Sequence, residues 1–258
     1  MPGSTPHFIV GGSPRSGTTW LYQALDRHPR IHMAKPVTPE PKFFLVDELY
    51  AKGLDWYRST WFADVPAGCV AGEKTTNYLE SAQAARRMRE HLPGVRLVFL
   101  LREPVDRAFS NWLWSRSNKV ESRDFETALD QEPECERNVP ARLQYARPHA
   151  LFSRGLYAKQ LAVWFGLFPR EQILCLKFED LCGESGGPEL ARLHRFLGVE
   201  ERPEDALGLG VVNSASGEVS EVMPQHLRLR LQAAYTEPNR ELAKLLPGFP
   251  VWQYGERP

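Results

Sequence analysis

Gly12, Ser13, Pro14, Arg15, Ser16, Gly17, Thr18 and Thr19 follow the apolar run HFIV and precede WLYQALD, which reads as a helix. Two glycines five positions apart permit a tight turn in which successive backbone N–H groups point at one anion. A helix beginning near Thr18 would add the positive end of its dipole, and Thr18 and Thr19 add hydroxyl donors. A loop for a nucleoside triphosphate carries a lysine after its second glycine and a magnesium ion on the next hydroxyl. Here Thr18 follows Gly17, and the cation is Arg15, inside the turn. Arginine offers a fixed fork of donors to a tetrahedral oxyanion and keeps its charge. These residues suit a phosphate or sulfate held without an obligatory metal. A bare strand–helix turn is the alternative that spacing leaves open.

Three further stretches carry chemistry-bearing residues. In LREPVDRAFSNW, Arg102 closes an apolar strand and Ser110 comes eight positions later, about two turns into the next helix. Both could reach one anion at the end of a strand, where open α/β sheets bind ligands; a surface pairing of Arg102 with Glu103 or Asp106 is the competing reading. In PEPKFF, Glu40 and Lys42 stand two apart in a proline-stiffened segment, and in extended chain they face the same side. A carboxylate beside an ammonium suits a general base near an anionic centre, or is a solvated loop pair. In GEKTTNY, Glu73 and Lys74 end another strand.

The elements that must position these residues alternate. Strands are expected at HFIVGG, RIHMA, CVAGEKT, VRLVFLL and QILCLKF. Helices are expected from Thr18 to Arg27, over LDWYRSTWF, SAQAARRMREHL, YAKQLAVWFGLF and PELARLHRFLG, and from Pro104 onward, since proline is tolerated at the first helical position. The tail from Pro224 reads as helix broken at Pro238. Continuous apolar strands between helices imply a mostly parallel sheet covered on both faces, an α/β fold. No linker divides the chain, so residues 1–258 are expected to form a single domain. The mobile segments are expected at KPVTPEPK, at 130–148 and at GVVNSASGEVSEVMP.

Lysine plus arginine balances aspartate plus glutamate at 32 each. No global field therefore attracts nucleic acid or an anionic membrane, and any anion site must be built locally. The one basic cluster, RRMR, reads as a solvated helix face. Four cysteines show no metal-ligand spacing, which with the absence of a signal-like N-terminus points to reduced thiols and a cytoplasmic protein. No window is long and apolar enough to span a membrane. Trp56, Trp61, Trp112, Trp114 and Tyr145 could line a sugar or aromatic pocket, although such spacing more often marks core.

Together these stretches resemble the sulfotransferases that use 3′-phosphoadenosine 5′-phosphosulfate (PAPS), in particular the domains that sulfate heparan sulfate and their bacterial relatives. The resemblance is collinear over roughly residues 7–252. It implies the P-loop-like sulfotransferase fold, with GGSPRSGTTWL as the 5′-phosphosulfate loop. It assigns the 3′-phosphate to Arg102 and Ser110, the general base to Glu40, and a place in the active cleft to Lys74. The implied reaction moves a sulfuryl group from PAPS to a hydroxyl or amine of a small-molecule, natural-product or carbohydrate acceptor. Arg15, Lys74 and Lys42 would stabilise charge, and no metal is needed. The animal enzymes close over the nucleotide with a disulfide-bearing loop and a basic Lys-Gly-Arg. This chain has no lysine, arginine or cysteine between Arg202 and Arg228, so its lid would use Ser214, Ser216 and the Gly217 backbone. A nucleotide-dependent kinase and a non-catalytic adenine-nucleotide binder are the rival readings. The arginine-rich composition suggests a bacterial enzyme of specialised metabolism.

Overall fold

A computed structural model describes residues 3–181, 186–206, 208–209 and 221–254. The chain divides into two compact units, one from Met1–Leu101 and Val163–Asn213, the other from Arg102–Ala162 and Ser214–Pro258.

The first unit is built on five strands: β1 (Phe8–Gly12), β2 (Ile31–Met33), β3 (Val70–Lys74), β4 (Arg96–Leu101) and β5 (Ile173–Lys177). Their order in the sheet is β2-β3-β1-β4-β5, and every pairing is parallel. All five residues of β1 are buried, as are the last five of β4. This is why the strands read as unbroken apolar runs: both faces of the sheet are covered. On one face Phe8, Val10, Val98, Leu100, Leu174 and Leu176 pack against Leu21 and Leu25 of α1 (Thr18–Asp26) and Leu190, Leu193 and Leu197 of α10 (Gly187–Leu197). Phe99 points the other way, since alternate strand residues face opposite sides. Its ring lies 5.1 Å from that of Trp164, whose Nε1 donates to the Leu79 carbonyl at 3.0 Å. Between β2 and β3 run α2 (Asp47–Tyr50) and α3 (Leu54–Trp61); along the chain α8 (Tyr157–Leu167) precedes β5 and α9 (Phe178–Leu181) follows it. The ten-residue α4 (Ala82–His91) starts where Ser81 Oγ accepts the Ala84 N–H at 3.1 Å. This cap and the amphipathic AQAARRM pattern account for the helix.

The second unit is helical, with α5 (Pro104–Ser117), α6 (Phe125–Asp130), α7 (Glu132–Arg137) and α11 (Gln225–Leu245). Trp112 and Phe125 centre its core, their rings 5.5 Å apart, with Leu129, Leu227, Leu231 and Tyr235 around them. Trp112 is thus core, whereas Trp114 is exposed.

One expectation is corrected here. The tail is not broken at Pro238: α11 runs through it as one helix of 21 residues. Proline removes one i→i−4 hydrogen bond, but Tyr235, Asn239 and Leu242 are buried on both sides of it, and this packing carries the helix across. The stretch 130–148 holds α7 and a short 3₁₀ turn at Ala141–Leu143. Within it Arg147 and Glu136 form an ion pair at 2.9 Å, and the Glu132 carboxylate accepts the Phe152 and Ser153 N–H groups at 2.6 and 2.8 Å. Most of GVVNSASGEVSEVMP, with Ser214, Ser216 and Gly217, lies outside the described residues.

The β1–β3 contact leaves no room for a side chain at Gly72. A Cβ there would fall 2.2 Å from the Phe8 ring, itself fully buried. Gly72→Ala should therefore destabilise the protein by roughly 1–3 kcal/mol, the range for overpacking a tight core, and urea unfolding against the unmodified chain measures it.

Candidate active site

The glycine-rich turn leaves β1 at Gly12 and enters α1 at Thr18. Gly17 is the N-cap of α1 and has φ 80°, a left-handed conformation that favours glycine. Arg15 also sits left-handed, at φ 66°. Such alternation turns successive N–H groups inward and makes an anion-binding concavity. Gly12, Ser13, Pro14, Ser16 and Thr18 are buried, while Arg15 and Thr19 are half-buried. The Ser13 N–H is already spent on the Leu100 carbonyl at 2.8 Å. Ser16 is different: it is fully buried, and its Oγ has no hydrogen-bond partner. A buried hydroxyl left unmet costs about 1–3 kcal/mol, and an anion in the turn would satisfy it. Ser16 thus leaves a buried hydroxyl in the turn that an anion could meet.

Lys74 ends β3 opposite Val10 in the β1 register, two residues before Gly12. Its Nζ lies 2.5 Å from Glu40 Oε1, and the two side chains are 5% and 13% exposed. The other Glu40 oxygen accepts the Thr76 N–H at 3.2 Å, and Thr76 Oγ1 lies 3.3 Å from both oxygens. The structure therefore brings Glu40 and Lys74, 34 positions apart, into one ion pair. Lys42, two residues on from Glu40, has φ 51°, so the backbone leaves the extended region there. The chain turns there because Phe43 and Phe44 are pulled into the core. Their rings lie 4.5 and 5.4 Å from that of Tyr57.

Glu73, beside Lys74 in sequence, points into the interior and is fully buried. Tyr57 and Tyr78 donate to its Oε1 at 2.6 and 3.2 Å, and Thr75 donates to Oε2 at 2.8 Å. Burial pushes its carboxyl up from 4.5 to about 7, against the lowering effect of these hydroxyls, with the Glu40 charge raising it further. Thr75, Thr76, Tyr57 and Tyr78 were not expected at a site. The two threonines directly follow Lys74 at a strand end, which is a usable signal. Tyr57 lies 16 residues from Glu73 and has none.

In the second unit, Arg102 precedes α5 and Ser110 lies midway along it, and both are half-buried. The Arg102 carbonyl accepts from the Tyr157 hydroxyl at 2.8 Å. Glu103 caps α5, accepting the Val105 and Asp106 N–H groups at 3.1 and 2.6 Å, and Asp106 pairs with Arg228 at 2.8 Å. A cavity of about 420 Å³ opens between α6, α7 and α11, lined by Leu129, Phe152, Leu231 and Arg230; it holds none of the expected site residues. Among the described residues no group of three or more histidines, cysteines or acids could hold a metal, and no helix is long and apolar enough to cross a membrane.

A sequence model described as a sulfotransferase domain matches residues 5–213. Mouse heparan sulfate glucosamine 3-O-sulfotransferase 3B1 is 33% identical over 195 residues, covering 76% of this chain and 46% of the mouse protein. The chain spans about half the length of the curated relatives it matches. The crystal structure of a sulfotransferase from Alicyclobacillus acidocaldarius aligns with a TM-score of 0.74 at 27% identity, over 94% of this chain and 96% of that one. A mouse sulfotransferase solved with PAP shares the fold at a TM-score of 0.52 and 13% identity, over 93% and 84% of the two chains.

The raised Glu73 carboxyl makes stability depend on pH. The folded state keeps a proton that the unfolded chain releases between pH 4.5 and about 7. Stability from this group is therefore full below that window and is lost as pH rises through it. Glu73→Gln cannot titrate, so it should gain on the unmodified chain between about pH 5 and about pH 8, by up to about 3 kcal/mol at ~1.4 kcal/mol per pKa unit. Urea midpoints at the two pH values check the sign. A constant difference would mean that Glu73 does not titrate in that window.

Proposed function

The chain belongs to the sulfotransferase family, and from that premise we propose that it transfers a sulfuryl group from PAPS to a hydroxyl or amine of a small-molecule or carbohydrate acceptor, with Glu40 as general base. The observation that carries the reading is the Glu40–Lys74 pair at the C-terminal edge of the sheet, on the strand next to the glycine-rich turn.

The scheme needs no metal. A Glu40 carboxylate oxygen takes the acceptor proton as the acceptor oxygen or nitrogen bonds to sulfur. The bond from sulfur to the bridging phosphate oxygen breaks, and its electron pair leaves on the nucleotide. Negative charge gathers on that oxygen and on the transferring group. Lys74 and Arg15, with Lys42 on the same loop as Glu40, supply the cations that meet it. The turn from Gly12 to Thr19 holds the 5′-phosphate through N–H groups, the Ser16 hydroxyl and the α1 dipole. Arg102 and Ser110 take the 3′-phosphate on the strength of the motif match. A cytoplasmic, reducing setting in specialised metabolism belongs to the same proposal, supported by the free thiols of Cys69, Cys135 and Cys175.

The acceptor is found by incubating the protein and PAPS with an acceptor library and reading the mass of one added sulfuryl group. Donor recognition is checked by calorimetry. The 3′-phosphorylated product, 3′-phosphoadenosine 5′-phosphate, should bind at least ~10-fold more tightly than AMP, because charge-assisted bonds to phosphate are strong, and Arg102→Ala should remove most of the difference. Equal affinities in the unmodified protein would overturn the assignment of Arg102 and Ser110. Glu40→Gln keeps the shape of the side chain and removes its basicity. Turnover should drop by roughly a hundred-fold or more with product-nucleotide affinity nearly unchanged. Normal turnover would remove Glu40 as the base.

A further inference from the structure

Glu73 and the hydroxyls around it take no part in the transfer step, yet Glu73, Thr75, Tyr57 and Tyr78 are all fully buried. A carboxylate taken out of water without a cation is expensive, and an apolar residue would pack the same space without that cost. The hydrogen bonds show what it secures. A hydroxyl that donates its one proton keeps lone pairs free to accept. Thr75 donates to Glu73 at 2.8 Å and accepts the Lys42 N–H at 3.1 Å. Tyr78 donates to Glu73 at 3.2 Å and accepts the Phe44 N–H at 3.3 Å. Tyr57 donates to the same carboxylate at 2.6 Å and stacks on Phe43 at 4.5 Å. Three consecutive residues of the loop, Lys42 to Phe44, are thus fixed to one carboxylate through three hydroxyl-bearing side chains.

The arrangement follows from strand alternation. Along 73–76 the chain presents Glu73 and Thr75 to the interior, where they anchor the backbone of the loop. Lys74 and Thr76 hold the Glu40 carboxylate itself, at 2.5 Å and at 3.2 to 3.3 Å. One short segment therefore grips the Glu40 loop twice, by its side chain and by its main chain two and four residues on. Neither grip alone would fix the carboxylate, because the loop could pivot about the other.

We propose that Glu73, Thr75 and Tyr78 are positioning residues: a buried polar template that sets where Glu40 stands and controls turnover through it. The inference rests on the reading of Glu40 as the general base. It concerns placement and not proton transfer by Glu73.

The test is a set of variants assayed for kcat, KM and product-nucleotide affinity, with hydrogen exchange read at the Lys42 and Phe44 amides. Thr75→Val with Tyr78→Phe removes both acceptor oxygens and keeps nearly the same volume. It should lower kcat roughly tenfold to a hundredfold, as small misplacements of a reacting group do. Exchange at the two amides should speed up while nucleotide affinity stays unchanged. If the pair does not fold, Tyr78→Phe alone is read in the same way. Thr75→Ser keeps the hydroxyl and should be close to the unmodified enzyme. Glu73→Gln retains an acceptor for the tyrosines and an N–H for Thr75, and should stay within several-fold. In a Glu40→Gln background the Thr75→Val, Tyr78→Phe pair should cost nothing further, since effects through one group do not multiply. Unchanged kcat in the pair, multiplying effects in the Glu40→Gln background, or a loss in Glu73→Gln as large as in Glu40→Gln would each overturn the inference. Normal turnover in Glu40→Gln would overturn the base reading and this inference together. A loss there alone, with the template variants unaffected, would overturn only the inference.

Discussion

Every strand of the sheet is parallel to its neighbours, so every strand ends at the same edge. The order β2-β3-β1 then decides what meets there. The chain leaves β1 through the glycine-rich turn, forms β2 two places away, and returns to place β3 between them. The last residue of β3 is Lys74, so its ammonium stands between the loop after β1 and the loop after β2, which carries Glu40. The register is equally constraining. Val10 lies opposite Lys74, and Ile9 opposite Glu73. Sliding β3 by one residue would reverse every side chain. Glu73 would face Glu40, and the Lys74 ammonium would be buried among neutral hydroxyls with no carboxylate beside it. The apolar core that sets the register therefore also sets the sign of the charge beside Glu40.

The features legible in the sequence are those whose cause is local. VRLVFLL reads as a buried strand because all its information lies in seven adjacent residues. The turn between Gly12 and Gly17 reads as an anion loop because N–H geometry depends on a few consecutive dihedrals. Glu40 and Lys74 were each recognisable by motif, but their contact was not, since it depends on the strand order. The template under the loop was out of reach for the same reason: Tyr57 and Glu73 come from a helix and a strand with no shared pattern. At Lys42 the local rule misled. An extended, proline-rich segment predicts extended backbone throughout, but Lys42 has φ 51° where Phe43 and Phe44 enter the core. Pro238 shows the same override, since buried residues on both sides outweigh one missing hydrogen bond.

The division of labour at the sheet edge answers an electrostatic conflict. The proposed reaction needs a carboxylate close to an anionic donor, and like charges at about 4 Å repel by roughly 4 kcal/mol at a surface-like effective dielectric. A chain with no net charge cannot offset that with a general positive field. The site does so locally. The turn can bind an anion with backbone dipoles and neutral hydroxyls, which add no net charge. Arg15 and Lys74 add cations at two points, and Lys74 is already held against Glu40. A lysine after Gly17 would commit the cation to the phosphate chain of a triphosphate. Placing it at the end of the neighbouring strand pairs it instead with the Glu40 carboxylate, and in the proposed reaction it also meets the oxygen from which sulfur departs. On this argument the missing lysine of the turn is relocated, not lost, and its new position suits the proposed donor, whose reacting group is the one attached at the 5′-phosphate.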